Sequence, residues 1–424
     1  DAASAIAVDT AIAATAAATA ATDATAATVA ATTARAAATG QPDATGAATA
    51  AQAAEDSASM ARAAADRAAA AAADADAAAT AIAGSLDAAS DALDRARAAL
   101  AACIATAGIP DAGVAVTEDA QRAAFRALAE ARDDCTAAAD ALPSAPEPLF
   151  HLATIAQATG EHRDAVDLYE RALAAGSGAA ATRLGDYYNF GIGRIRADED
   201  RAVAYYEQAA DLGDAAGTAT LAFMYRLGRG VPRDPARMVA LMQTAADQGY
   251  HFAQYRLGET YLSGEGIPGG ADASLGIPNP AAAVPLFEDA AAQGNLQATL
   301  ALAGLYGAGS DGVPPDDAAR FFWTDSAANA GLPDAIAARA FLLEQGIGTE
   351  PDPDRAAAEY VRALETGEVD PDDMRGVVAG RVPPWPPETA MAFQMILAER
   401  GLYDGPIDGI IGRGSLAAAR ALDD

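Results

Sequence analysis

Five stretches of this chain share one frame: "LGDYYNFGIG" at 184–193, "LAFMYRLGRG" at 221–230, "LGETYLSGEG" at 257–266, "LAGLYGAGSDG" at 302–312 and "RAFLLEQGIG" at 339–348. Their starts fall 37, 36, 45 and 37 residues apart. A fixed period of this length constrains the fold more than any composition does, because one such unit cannot bury its apolar face alone and must stack on its neighbours. The long interval contains "PGGADASLGIPNP", Pro268–Pro280, which reads as an insert on a loop. A second helical pattern follows each frame, with glycines at Gly213, Gly249, Gly294 and Gly331 closing the first four. Four residues beyond each of these glycines a small residue, Gly217, Ala253, Ala298 or Ala335, opens the next unit.

Each fixed residue type has a physical reason. Small positions let helix axes approach closely. Tyr188, Tyr225, Tyr261 and Tyr306 are expected to fill the space between helix pairs with an amphipathic ring. The glycine turns (Gly191, Gly193; Gly228, Gly230; Gly264, Gly266; Gly309; Gly346, Gly348) supply left-handed backbone where one helix hands over to the next. In the fifth unit Leu343 stands at the tyrosine position, and the fourth has a longer glycine turn, by one residue.

The pattern resembles the Sel1-like repeat, a relative of the tetratricopeptide repeat. The resemblance implies an all-α, right-handed superhelical solenoid that binds protein partners, usually on its concave face. A preceding segment, Glu147–Gly176, resembles an ordinary tetratricopeptide unit and would start the stack.

Composition narrows the partners. The formal charge is −31 and all 28 basic side chains are arginine, a balance that repels phosphate backbones and anionic lipid heads. Nucleic acid is therefore not an expected partner. The hydrophobic fraction is 52%, but much of it is alanine, which buries little area, so many thin helix contacts are expected instead of one thick core. No run of about 18 strongly apolar residues occurs, and no transmembrane helix is expected. The chain begins at Asp1, as a processed product or a fragment would, with any signal peptide out of sight.

The expected order is a low-complexity Ala/Thr arm over 1–84, a helical segment over 85–146, the tetratricopeptide-like unit over 147–179, and the Sel1-like repeats over 180–380. A proline-rich linker over 381–390 and a small helical module over 391–424 complete it. The first half of the arm is marginal as an isolated helix, since threonine opposes what alanine favours. It is either a coiled arm that pairs with a partner or a solvated spacer. Two helices are expected on either side of "GIPDAGVAVT", carrying Cys103 and Cys135. These two either form one intramolecular disulfide, worth about 3–4 kcal/mol, or are buried thiols.

The tail "AFQMILAERGLYDGPIDGIIGRGSLAAARAL" resembles the peptidoglycan-binding-domain-like family, through Gln394 and Leu397 in its first helix, Gly401, Tyr403, Gly405, Asp408, Gly409 and Gly412 in the loop, and Ser415 where the second helix would begin. Family members usually continue with a further loop and helix, whereas this sequence stops at Asp424. In the reading taken from the residues alone, the glycines permit a sharp reversal, Asp408 bonds the loop's own amides and Ser415 caps the helix that follows.

No catalytic constellation is visible. His151, His162 and His251 are the only histidines, none at metal-binding spacing, and a chain without lysine cannot hold a Walker-type phosphate loop. No cofactor, metal or enzymatic activity is expected. The resemblances imply an exported scaffold of the bacterial envelope, in a periplasm-like compartment, whose repeats dock a protein and whose tail contacts peptidoglycan. The alternative is a structural subunit held in a larger assembly by its Ala-rich arm, the tail only a cap.

Overall fold

The computed structural model describes residues 44–107, 131–267 and 276–422, together with most of 15–36. Its elements are helices, and two isolated β-bridges join described residues, Ser310–Val313 and Val378–Arg381. Two compact units divide the chain, residues 1–98 and 99–424. The expected connector at 108–117 and residues 268–275 of the insert lie outside the described residues.

In the first unit the described residues between 15 and 36 are helical, and α1 runs over Ala44–Ala107. Ala24 and Ala31 on one side, and Ala58 and Ala65 on the other, are buried at seven-residue spacing. Arg62 Nε donates to Thr28 Oγ1 at 3.0 Å, and Arg35 pairs with Glu55. As the first partner number rises the second falls, so the helices run antiparallel. The alanine seam therefore closes within the chain. Threonine is accommodated because its hydroxyl turns back onto the carbonyl four residues earlier, as Thr22, Thr25, Thr28 and Thr33 do. The helix also passes through Gly84, where the sequence suggested a boundary. Nothing lies within 4 Å of where a Cβ would stand there, so the glycine costs about 1 kcal/mol of helix propensity and no packing.

The second unit begins with the Cys103–Cys135 disulfide, which joins the end of α1 to α2 (Arg132–Ala141). Both cysteines are fully buried against Ala131 and Ile155. Six helix pairs follow. The first is α3 (Pro146–Ala158) with α4 (His162–Ala174). The other five are α5 (Gly178–Phe190) with α6 (Glu199–Asp211), α7 (Ala215–Leu227) with α8 (Pro235–Asp247), α9 (His251–Ser263) with α10 (Pro280–Ala292), α11 (Leu296–Ala308) with α12 (Asp317–Asn329), and α13 (Pro333–Gln345) with α14 (Pro353–Leu364). Two further helices close the chain, α15 (Pro387–Glu399) and α16 (Arg413–Arg420).

One hydrogen-bonded joint recurs in the five later pairs. The residue capping each second helix donates its N–H back to the first: Asp198 to Tyr188 O (2.8 Å), Asp234 to Tyr225 O (2.9 Å), Asn279 to Tyr261 O (2.7 Å), Asp316 to Tyr306 O (2.9 Å) and Asp352 to Leu343 O (3.0 Å). The same five side chains accept an N–H of their own helix's first turn at 2.9–3.2 Å, each cap worth about 1 kcal/mol. The joint uses the backbone at the tyrosine position, so Leu343 replaces tyrosine without loss.

The second glycine of each turn sets the stacking distance. At Gly230 a Cβ would stand 2.6 Å from Glu199 O, and at Gly266 2.5 Å from Pro235 O. Gly348 would collide in the same way with Asp317, and Gly193 with the His162 side chain. Each of these four partners opens the second helix of the preceding pair. In the longer fourth turn Gly312 takes this place, facing Ala281, while Gly309 meets Pro315.

The aromatic filling differs from the sequence expectation. Tyr188 is buried, but Tyr225, Tyr261 and Tyr306 are half-buried. Besides Tyr187 on α5 and Phe393 on α15, the large fully buried rings sit at the eighth residue of the second helices, as Tyr169, Tyr206, Phe287 and Tyr360. They fit because the facing first helix is small there: a Cβ on Gly185 or Gly258 would be 2.5 Å from the Tyr206 or Phe287 ring.

The stretch expected as a stiff linker is docked. Trp385 packs between Tyr360 (5.2 Å) and Phe393 (5.3 Å), and Arg375 lies 4.5 Å over its ring. Arg375 also donates to the carbonyls of Pro383 and Pro384. The last repeat and α15–α16 thus share one core containing Phe341, Tyr360, Met374, Phe393 and Leu397.

Candidate functional site

Two grooves open along the first helices of the pairs. One, of about 270 Å³, lies between α7, α8 and α9. Arg256 stands over three rings there, Phe252 at 5.1 Å, Tyr255 at 5.4 Å and Phe223 at 5.6 Å. Its guanidinium pairs with Glu259 at 2.7 Å, which also accepts from Tyr255 at 2.8 Å. Burial, then the neighbouring Glu259, pushes the Tyr255 phenol up to about 12. Arg226 and Arg233 both bind Glu265, at 2.9 and 3.0 Å. The result is a mixed aromatic and charged face able to hold either sign of partner charge. A second groove, of about 420 Å³, lies where α13 meets the returning segment 368–376.

Polar nodes fix these first helices from behind. The Tyr206 hydroxyl donates to Asp186 at 2.8 Å. Burial raises the Asp186 carboxyl above its ordinary range, and burial with the Asp186 charge raises Tyr206. His162 contacts the Tyr187 hydroxyl at 3.1 Å and is half-buried, because Gly193 lets the turn close over it. Arg339, 1% exposed, donates to Asp325 (2.9 Å), Asn329 (2.7 Å) and Glu359 (2.7 Å). The buried Glu344 carboxylate accepts from Tyr360 at 3.0 Å and Arg375 Nε at 3.0 Å. No local sequence signal marks these nodes, since the partners lie 10–31 residues apart.

In the tail the residues singled out from the sequence do meet, around Gln394. Its buried amide accepts from the N–H groups of Asp408 (3.1 Å) and Gly409 (3.0 Å) and donates to Asp408 Oδ1 (3.1 Å) and Ile410 O (3.1 Å). Ile410 N–H on Asp408, then Gln394, hold that carboxyl below its ordinary range. Tyr403 closes the loop by donating to Pro406 O at 3.0 Å. Gly401 and Gly409 have φ +74°, whereas Gly405 leaves room for the Tyr403 ring. Ser415 does not cap: α16 starts two residues earlier, and Ser415 is buried 3.4 Å from the Gln394 amide. A cleft of about 680 Å³ is lined by Tyr403, Asp404, Asp408 and Ser415. Among the described residues no three metal-ligating side chains converge, and no helix is long and apolar enough to cross a membrane.

The paired helices, cap joints and stacking glycines coincide with five matches to the Sel1 repeat, at 178–214, 218–250, 251–295, 296–332 and 333–361. Residues 178–361 are Sel1 repeats. The chain is similar to proteins of two fungi. It is 36% identical over 140 residues to chitin synthase regulatory factor 3 of Schizosaccharomyces pombe (32% of this chain, 14% of that protein). It is 34% identical over 130 residues to chitin synthase regulator SKT5 of Malassezia restricta (30% of this chain, 8% of that protein). The chain thus spans a small part of these relatives. Among solved structures, a Sel1 repeat protein from Oxalobacter formigenes covers 64% of this chain and 97% of its own, at 20% identity and TM-score 0.45. A protective antigen of uropathogenic Escherichia coli, c5321, covers 70% and 71%, at 21% identity and TM-score 0.40.

Proposed function

We propose that this chain is a non-enzymatic scaffold whose Sel1 array docks a protein partner on the side formed by its first helices. The observation that supports it best is the groove between α7, α8 and α9, where Arg256 is held over three rings by Glu259. Aromatic and arginine side chains fixed in this way dominate protein interfaces energetically. The alanine seam of the first unit is satisfied within the chain, which removes the main motive for reading the arm as an assembly handle.

The compartment we propose is an exported one, supported by the buried disulfide, since such bonds persist where the surroundings are oxidising. The curated relatives are fungal and lend no support to a bacterial origin. Contact with peptidoglycan by the tail is a proposal resting on the loop that Gln394 organises and the cleft beside it. Co-sedimentation with insoluble sacculi tests the tail, comparing the full chain with Tyr403→Ala. Pelleting of the first and not the second is expected; equal pelleting, or none, rejects the contact. For the array, loss of partner capture by Arg256→Ala with retention by Glu207→Ala is expected, and the reverse pattern overturns the docking face.

A further inference from the structure

The groove at the end of the array has a chemistry unlike that of the rest of its face. Its floor is the α13 surface at Ala337, Ala338 and Phe341, and its far wall is the segment returning from α14. Four carboxylates line it, Asp334, Glu368, Asp370 and Asp373, against the guanidiniums of Arg320 and Arg375. Arg375 is committed to the buried Glu344 carboxylate and to the carbonyls of Pro383 and Pro384. Asp370 is partly used in its own turn, accepting the Asp372 N–H at 2.8 Å.

The other three carboxylates are exposed, and among the described residues their side chains have no ion-pair or hydrogen-bond partner. Three carboxylates on or after first helices elsewhere are paired: Asp186 with Arg183 and the Tyr206 hydroxyl, Glu259 with Arg256, and Glu265 with two arginines. This groove, with its apolar floor, keeps a surplus of negative charge, three exposed carboxylates without partners against the guanidinium of Arg320.

We propose that this groove docks a cationic peptide segment of the scaffold's partner, through a lysine or arginine whose aliphatic stem lies on Ala338 and Val369 while its head reaches Asp334 and Asp373. This deepens the scaffold reading and rests on it. Long basic side chains bury their stems on apolar surface and keep their charge at the rim, which suits a shallow groove with an acidic edge. The remaining occupants match less well. Nucleic acid and anionic lipid meet repulsion here, and a second copy of this chain carries a net charge of −31 that opposes its approach.

The test is fluorescence anisotropy with the full chain and a labelled peptide of Gly, Leu and three Lys, beside the same peptide with acetylated lysines. Two variants remove equal charge: Asp334→Asn with Asp373→Asn in the groove, and Glu207→Gln with Asp211→Asn on exposed α6. At near-physiological salt, where distant charges are screened, the groove variant is expected to weaken binding about tenfold and the α6 variant less than about twofold. The acetylated peptide is expected to lose binding. Equal weakening by both variants reduces the attraction to overall charge and overturns the proposal, as does absence of binding to the unaltered chain. Failure of groove selectivity with partner capture still dependent on Arg256 rejects this inference alone. Intact selectivity with no capture by the array rejects the scaffold reading instead.

Discussion

Two glycines of the same backbone conformation separate the cost of a left-handed turn from the cost of close stacking. Gly213 has φ +80° with nothing within 4 Å of a Cβ; Gly230 has φ +66° with Glu199 O at 2.6 Å, Glu199 C at 2.8 Å and Val203 Cγ2 at 3.0 Å. Alanine at either position takes the left-handed penalty, about 1–2 kcal/mol. At Gly230 the added methyl also meets main chain in the first turn of α6, which cannot move aside as a flexible side chain would. Overpacking of that kind adds about 1–3 kcal/mol. Gly213→Ala is therefore expected to cost about 1–2 kcal/mol and Gly230→Ala about 2–5 kcal/mol, on the sum of these ranges. Urea unfolding followed by circular dichroism reads both, with the slope checked because a repeat array can lose cooperativity when one interface weakens. Equal destabilisation by the two substitutions would refute the claim that the second glycine sets the stacking distance.

Other outcomes follow from single contacts. Arg339→Met leaves Asp325, Asn329 and Glu359 without their shared donor and is expected to cost about 3 kcal/mol in the same unfolding assay, as loss of one member of a buried ion group does. Gln394→Leu strips two loop amides of their acceptor; hydrogen exchange at 408–409 should accelerate while the repeat amides stay protected. The Asp408 carboxyl is depressed when folded, so its contribution is complete above its unfolded value and lost as pH falls through the folded one. Loop exchange should therefore rise below about pH 4, and Asp408→Asn should remove that dependence. Reduction of Cys103–Cys135, which spans 32 residues, is expected to lower stability by about 3–4 kcal/mol in the chain-entropy account; an unchanged midpoint after complete reduction would argue against it.

The repeats were legible because their constraints are local and periodic. A glycine forced to positive φ, or an alanine where two helices touch, leaves its mark at the same offset in every unit. Tyr188 is buried and its counterparts pack partly buried against the core, but the recurring element of that joint is the carbonyl accepting from the capping residue, which any side chain permits. The buried ring of the second helix escaped notice since its position is held by tyrosine, methionine, phenylalanine or threonine in turn, at 206, 242, 287 and 324. The Arg339 and Glu344 nodes carry no period at all. The proline-rich stretch gave a stiffness signal that was real, but stiffness says nothing of docking. That depended on Arg375 finding carbonyls and Trp385 finding two rings. In the tail, the loop residues were visible as a set, whereas the role of Gln394 as their common partner emerges only when the reversal brings 394 and 408 together.

The docking face is tested most directly by a photo-activatable residue placed singly at exposed positions of the array in the native source. Leu300 and Ala338 stand on the first helices and Glu207 and Thr244 on the second. The scaffold account predicts one defined protein adduct from Leu300 or Ala338 and none from Glu207 or Thr244. Adducts confined to Glu207 and Thr244, or absent from all four, would contradict it.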